Sequence, residues 1–223
     1  MTLEEFCYFI CGAVLSLTFV IFCIAIIMPS KNQWNKRFFI AFFAFFVLCM
    51  ITIFVDLMTY DDSSMATLSK IDTYFEYLSF SITLPMFTAY LLQTCDEDWR
   101  KSLLFKVVIF LWSIFFILLG VSQFTTFLYY ITPDNQYIRS DFYLLMIAPM
   151  FAITFFNLAG VIKRRDKLPR KNLVAFLLHL IPIMIALFIL NLIVLNVVTT
   201  VALSLCISTL SLFSIMLYDQ IES

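Results

Sequence analysis

Seven apolar blocks, each about as long as the hydrocarbon core of a bilayer is thick, leave this chain few folds to adopt. They are Phe6–Met28, Phe38–Met58, Tyr74–Cys95, Leu103–Phe124, Phe142–Ile162, Leu173–Ile193 and Val198–Tyr218. A helix of about 20 residues, rising 1.5 Å per residue, crosses roughly 30 Å of lipid. Outer-membrane strands would instead alternate in polarity over about 10 residues, a pattern these blocks lack. Charged residues make up only 13% of the chain, against about 25% in an ordinary soluble domain. The sequence therefore reads as one all-α domain over residues 1–223, a polytopic membrane protein folded as a seven-helix transmembrane bundle.

The first block is too long for the apolar region of a signal peptide and is preceded by Glu4 and Glu5 rather than a basic segment. It is expected to be retained as a span. The six cysteines (Cys7, Cys11, Cys23, Cys49, Cys95, Cys206) lie within or at the ends of spans, with no paired spacing in any loop. They read as small apolar fillers rather than disulfide or metal chemistry.

The loops alternate sharply in charge. Lys31, Lys36, Arg37, Arg100, Lys101, Lys106 and the six cations of "KRRDKLPRK" (163–171) fall on one side, which is twelve of the fourteen Lys and Arg. The other side keeps Lys70 and Arg139 beside Glu4, Glu5, Asp56, Asp61, Asp62, Asp72, Glu76, Asp134 and Asp141. The positive-inside rule then puts the N-terminus outside and the C-terminus in the cytoplasm. "KRRDKLPRK" becomes the cytoplasmic turn between spans 5 and 6. Its first role is topological, and contact with anionic lipid or a cytoplasmic partner is compatible with it. A net charge of −1 gives no support to nucleic-acid binding.

Ionisable groups at membrane depth are costly and are candidates for function. Asp56 lies about one turn from the outer end of span 2, and Glu76 about one turn into span 3 from the same side. Snorkelling to water accounts for both. So does an outward pocket made with Arg139 and the tyrosines of that side: Tyr60, Tyr74, Tyr77, Tyr129, Tyr130, Tyr137 and Tyr143. A headgroup aromatic belt is the competing account of those tyrosines. Deeper in, Asn157 and His179 stand about 9 Å and 12 Å from the cytoplasmic boundary. The short turn joining their helices is expected to bring them together, either as a packing hydrogen bond or as a proton- or ligand-sensing histidine.

Pro85, Pro149 and Pro182 fall mid-span, where each removes one backbone hydrogen bond. Thr200, Ser204, Ser208 and Ser211 share one face of span 7, which reads as a packing seam of small polar residues. Span 7 has no lysine for a retinal Schiff base. HExxH, GxSxG, P-loop and clustered Cys/His patterns are also missing from the sequence. No cofactor or metal is expected. The chain has only three Gly, which disfavours the glycine-broken helices of many transporters.

"YYITPDNQYIRSDFYLLM" (129–146), "KRRDKLPRKN" and "FLLHLIPIMIALFILNLI" running to a seventh span resemble the seven-helix N-terminal sensor regions of bacterial signalling proteins. Those regions precede histidine-kinase or diguanylate-cyclase (GGDEF) catalytic domains. The resemblance covers the whole chain by topology and residues 129–220 by pattern. It implies that helix 7 continues into a cytoplasmic helix beginning at "LYDQIES", which passes a signal onward.

The leading reading is thus a non-enzymatic sensory module of the cell membrane, with Asp56, Glu76, Arg139, Asn157 and His179 as candidate ligand or signal residues. Its partners would be the lipid bilayer, a cytoplasmic kinase or cyclase output domain, and a second copy of the chain as a homodimer. A small transporter or permease, and a structural membrane subunit without a ligand, are the alternatives.

Overall fold

A computed structural model describes residues 3–30, 32–59, 62–192 and 197–221. Lys31, Tyr60 and Asp61 lie outside the described residues, as do residues 1–2, 193–196 and 222–223. The described residues form seven long helices: α1 (Leu3–Ile27), α2 (Gln33–Thr59), α3 (Ala66–Thr94), α4 (Leu103–Ser122), α5 (Tyr143–Lys163), α6 (Arg170–Leu192) and α7 (Val197–Ile221). A small hairpin, β1 (Tyr129–Ile131) and β2 (Tyr137–Arg139), joins α4 to α5. All of these helices except α3 are long and apolar enough to cross a membrane, so this is a multi-pass membrane protein.

α3 differs from its sequence expectation for a physical reason. It begins at Ala66, two turns before the expected Tyr74, and runs for 29 residues, about 44 Å. Its buried residues include many polar ones, Ser69, Asp72, Thr73, Ser79, Ser81, Thr83 and Thr88, beside Leu84, Phe87, Tyr90, Leu91 and Leu92. These groups face neighbouring helices rather than lipid, so averaged hydropathy undervalues the helix. Thr59 Oγ1 on α2 lies 3.3 Å from Ser69 Oγ, and Trp112 Nε1 on α4 donates to Ser81 Oγ at 3.2 Å.

The helices close a ring in chain order, each packing on the next and α7 returning to α1. Two cross-contacts, α3 on α5 and α2 on α7, leave α4 and α1 outside that inner circle. Those two are also the least buried of the apolar helices. α2, α3, α5, α6 and α7 therefore enclose the interior. In one half of it, aromatic rings from α2, α3 and α6 fill the space. Phe38 stacks on Tyr90 with centroids 4.3 Å apart, and Phe87 meets Phe176 at 5.2 Å and His179 at 4.6 Å.

The hairpin follows from "ITPDNQY". Pro presets the first turn position, and Asn tolerates the left-handed conformation that closes a three-residue hairpin loop. Asn135 has φ 59°, its N–H donates to the Thr132 carbonyl at 3.0 Å, and its Nδ2 donates to the Thr59 carbonyl at 2.6 Å. The hairpin tip is thereby pinned to the end of α2.

At the opposite end, α3 stops with Asp96 in a left-handed conformation (φ 57°). The Glu97 N–H returns to the Leu92 carbonyl at 2.9 Å, a Schellman closure. This aims Glu97 at the basic turn. Arg164 donates to it from Nε (3.0 Å) and Nη2 (2.7 Å), and Lys167 Nζ donates at 2.8 Å. The basic turn thus clamps the α3–α4 loop as well as carrying charge.

Candidate functional site

Beneath the hairpin, the inner helices leave a cavity of about 70 Å³. Its polar lining is Glu76 and Tyr77 from α3, Arg139 from β2, Tyr143 from α5 and Ser204 from α7. The rest is apolar, including Phe80, Ile147, Met150, Ile183, Leu187 and Leu205. Glu76 and Arg139, far apart in sequence, thus meet at one site.

The two charges sit differently. Arg139 is exposed and its Cζ stands 4.8 Å above the Tyr143 ring, which puts the guanidinium at the mouth. Glu76, the eleventh residue of α3, is about 15 Å from the helix start and half-buried. Among the described residues its carboxylate makes no hydrogen bond or ion pair. Asp56 and Asp72 lie within electrostatic reach of it. Asp72 is buried and its Oδ2 has no hydrogen-bond partner. Asp56 is half-buried on α2 and does not line the cavity. Three acids thus approach one another on the inner side of the site, and one guanidinium stands at its mouth.

Four of the candidate tyrosines, Tyr77, Tyr129, Tyr137 and Tyr143, form a cluster, and Tyr60 lies outside the described residues. The Tyr77 hydroxyl is 2.8 Å from that of Tyr143 and 3.0 Å from that of Tyr137. Tyr129, fully buried, stacks on Tyr137 at 5.3 Å and its hydroxyl accepts from Gln123 Nε2 at 2.7 Å. Burial first, and then the neighbouring Tyr143 phenol, push the Tyr137 hydroxyl well above its ordinary range, so it remains a neutral hydrogen-bonding group. Tyr74, which packs on the same core, and Tyr130 are half-buried.

Asn157 and His179 do not pair, contrary to the expectation from their short connecting turn. The rotational phase of each helix sends them to different neighbours. Asn157 accepts from Thr88 Oγ1 at 2.6 Å and donates from Nδ2 to the Leu84 carbonyl at 3.2 Å. His179 Nδ1 hydrogen-bonds Ser208 Oγ on α7, and its ring lies against Phe42 and Phe87. Both are fully buried, and neither lines the cavity. Ser204, one turn before Ser208, donates towards the Thr200 carbonyl (2.8 Å) and the Pro182 carbonyl (3.2 Å). The polar face of α7 therefore runs from the cavity wall to the histidine.

Cys49 and the apolar α6 and α7 residues of the lining carry no signal in the sequence that separates them from ordinary core, and Ser204 was legible only as part of a packing seam. Tyr77 and Tyr143 were visible only as part of the tyrosine-rich side. Comparison of the chain with protein-family models, with curated proteins and with solved structures finds no match. The functional reading rests on the site itself.

Proposed function

We propose that this chain is a seven-span sensory module of the cell membrane, N-terminus outside and C-terminus in the cytoplasm. A small ligand binds in the Glu76–Arg139 cavity, and α7 reports its arrival to a cytoplasmic output domain or partner. Histidine-kinase and diguanylate-cyclase domains are the outputs implied by the sequence resemblance, and a homodimer is the assembly in which such outputs work. The twelve-to-two division of cations supports the orientation.

The observation that carries this reading is the cavity, an enclosed space with an unpartnered carboxylate inside and a guanidinium at its mouth. Val201, Ser204 and Leu205 of α7 form part of its wall, so a ligand there touches the helix that leads to the other face. The aromatic layer of α2, α3 and α6 blocks the way onward, which favours a sensor over a permease. Signalling then requires that the ligand bind one packing of α6 and α7 better than another. His179–Ser208 and Ser204–Pro182 are the contacts between those helices that would change.

Thermal-shift screening of polar metabolites in detergent tests the site. A genuine ligand stabilises the wild type, and Glu76→Gln or Arg139→Ala weakens that stabilisation without disturbing folding. Stabilisation that survives both substitutions unchanged places the site elsewhere.

A further inference from the structure

Three carboxyls from two helices approach one another behind the cavity wall. Asp72 and Glu76 stand one turn apart on α3 and so share a face, and Asp56 comes towards both from α2. Cys49 of α2 lies within electrostatic reach of Asp72 and Glu76, and it lines the cavity beside Glu76. The group thus reaches from the end of α2 to the cavity. Crowding alone would make it no site. Asp72 supplies the second observation: it is only 8% exposed, and its Oδ2 has no hydrogen-bond partner among the described residues. A buried acid oxygen is therefore left open beside the other two acids.

We propose that Asp56, Asp72 and Glu76 form one proton-binding site between α2 and α3, filled from the hairpin side, whose occupancy sets the charge on the cavity wall. The inference rests on that cavity's being the signal site, as proposed above, and adds what regulates it. The proton comes from water at the cavity mouth. Each uptake turns one carboxylate into a carboxylic acid and removes one negative charge. Carboxyls crowded in a poorly hydrated space titrate together, because each charge already present opposes the release of the next proton. Ionised Asp56 on α2 repels ionised Asp72 and Glu76 on α3, and protons relieve that repulsion. α2 packs on α7 as well as on α3, so a change in their spacing has a contact through which to reach α7.

The neighbours make the proton the occupant that fits. Among the described residues no three His, Cys, Asp or Glu side chains are placed to hold a metal ion, whereas a proton needs only one carboxyl oxygen. Arg139, the one cation of the cavity lining, sits over the Tyr143 ring at the mouth, and one guanidinium balances one acid of three at most. Lys70 on α3 is exposed, as is Asp62 in the turn before that helix, which bonds Ser64. On α1, the Tyr8 hydroxyl donates to the Leu57 carbonyl next to Asp56 at 2.8 Å. The other titratable groups facing Glu76 are phenols: Tyr77 of α3, Tyr129 of β1 and Tyr143 of α5. α4, α6 and α7 bring no ionisable side chain to the cavity lining. The hydroxyls of Tyr137, Tyr77 and Tyr143 form a hydrogen-bonded row from the hairpin to the cavity. The cavity's volume of about 70 Å³ holds a few waters, at about 10–15 Å³ each. Protons thus have a polar path to Glu76.

The test is proton uptake by the full chain in an uncharged detergent, with no other ligand added. Infrared difference spectra read the protonated carboxyls between about pH 4 and about pH 9, the span over which buried acids titrate. The wild type should show protonated-carboxyl bands that Asp72→Asn and Glu76→Gln each reduce. Asp72→Asn should also move the midpoint of the band that Glu76→Gln removes. The expected shift is towards acid, by about ten-fold in proton concentration, the coupling of acids in one site. Asp56→Asn, at a half-buried position, should shift it the same way, and carries the test if Asp72→Asn does not fold. A purely structural role would leave a neighbour's titration unmoved. If no band responds to these substitutions, the acids exchange no protons and the inference falls. It falls too if the bands vanish one by one with unshifted midpoints, since the acids then titrate alone. In either case, a screened metabolite whose stabilisation Glu76→Gln weakens leaves the cavity reading standing. Coupled titration without any such metabolite supports the proton site and removes the small-molecule reading.

Discussion

Glu97 accepts from Arg164 and Lys167, and these hydrogen bonds hold its carboxyl down to about 2, against 4.5 ordinarily. An acid depressed in the folded state stabilises the fold fully above its unfolded pKa. That contribution is lost as pH falls through 4.5 towards 2. Glu97→Gln is expected to cost about 1 kcal/mol at pH 7, since half-exposed Lys167 is screened by solvent. The variant should also lose less stability than the wild type between pH 5 and pH 2, a difference that pH-dependent unfolding in detergent measures. Equal acid sensitivity in the two proteins would contradict the clamp. Glu97 was hidden in the sequence because it sits among Asp96 and Asp98 in a loop, where a charge needs no explanation. Glu76 and Arg139 were legible because charge near an apolar span is costly and conspicuous. Asn157 and His179 were equally conspicuous, yet their partners were not, because hydropathy gives the depth of a residue and not the direction it faces.

At the scale of elements, the long apolar runs predict six of the seven helices to within a few residues at most ends. The shortfalls are α3 and the hairpin. α3 extends into a segment that reads as loop, because its Ser69, Asp72 and Thr73 side chains are buried in the bundle, with Ser69 meeting Thr59 of α2 and Thr73 bonding its own helix, which a sliding average cannot see. The hairpin is three residues per strand, and its turn chemistry was present in "TPDNQ" but was overshadowed by the spans on either side. The end of α3 offers a direct test. Asp96 holds a left-handed conformation that costs a non-glycine residue roughly 1–2 kcal/mol, less for Asp than for most. Asp96→Gly keeps the backbone hydrogen bonds of the Schellman closure and is expected to stabilise the protein by up to about 1 kcal/mol, as read by unfolding in mixed micelles. Destabilisation would show that the Asp96 side chain contributes more than its backbone conformation costs.

Across the whole molecule, a ring of five inner helices with two outside it encloses a small cavity beneath the hairpin and a layer of aromatic rings. The sequence could not announce this, since α1 and α4 are as apolar as the helices that line the cavity. Two predictions belong here. Reporter fusions after residue 168 should behave as cytoplasmic and fusions near residue 135 as external; the reverse pattern would invert every assignment of sides. The central claim, that occupancy of the Glu76–Arg139 cavity moves α7, is tested most directly by a distance. Spin labels carried on unnatural ketone side chains at Lys101, in the exposed α3–α4 turn, and Ser214, on the exposed face of α7, leave the native cysteines untouched. Pulsed electron paramagnetic resonance should show their separation shift when the ligand that the thermal-shift screen yields saturates the wild type, and show no shift in Glu76→Gln. A distance that stays the same while the ligand is demonstrably bound would contradict the account.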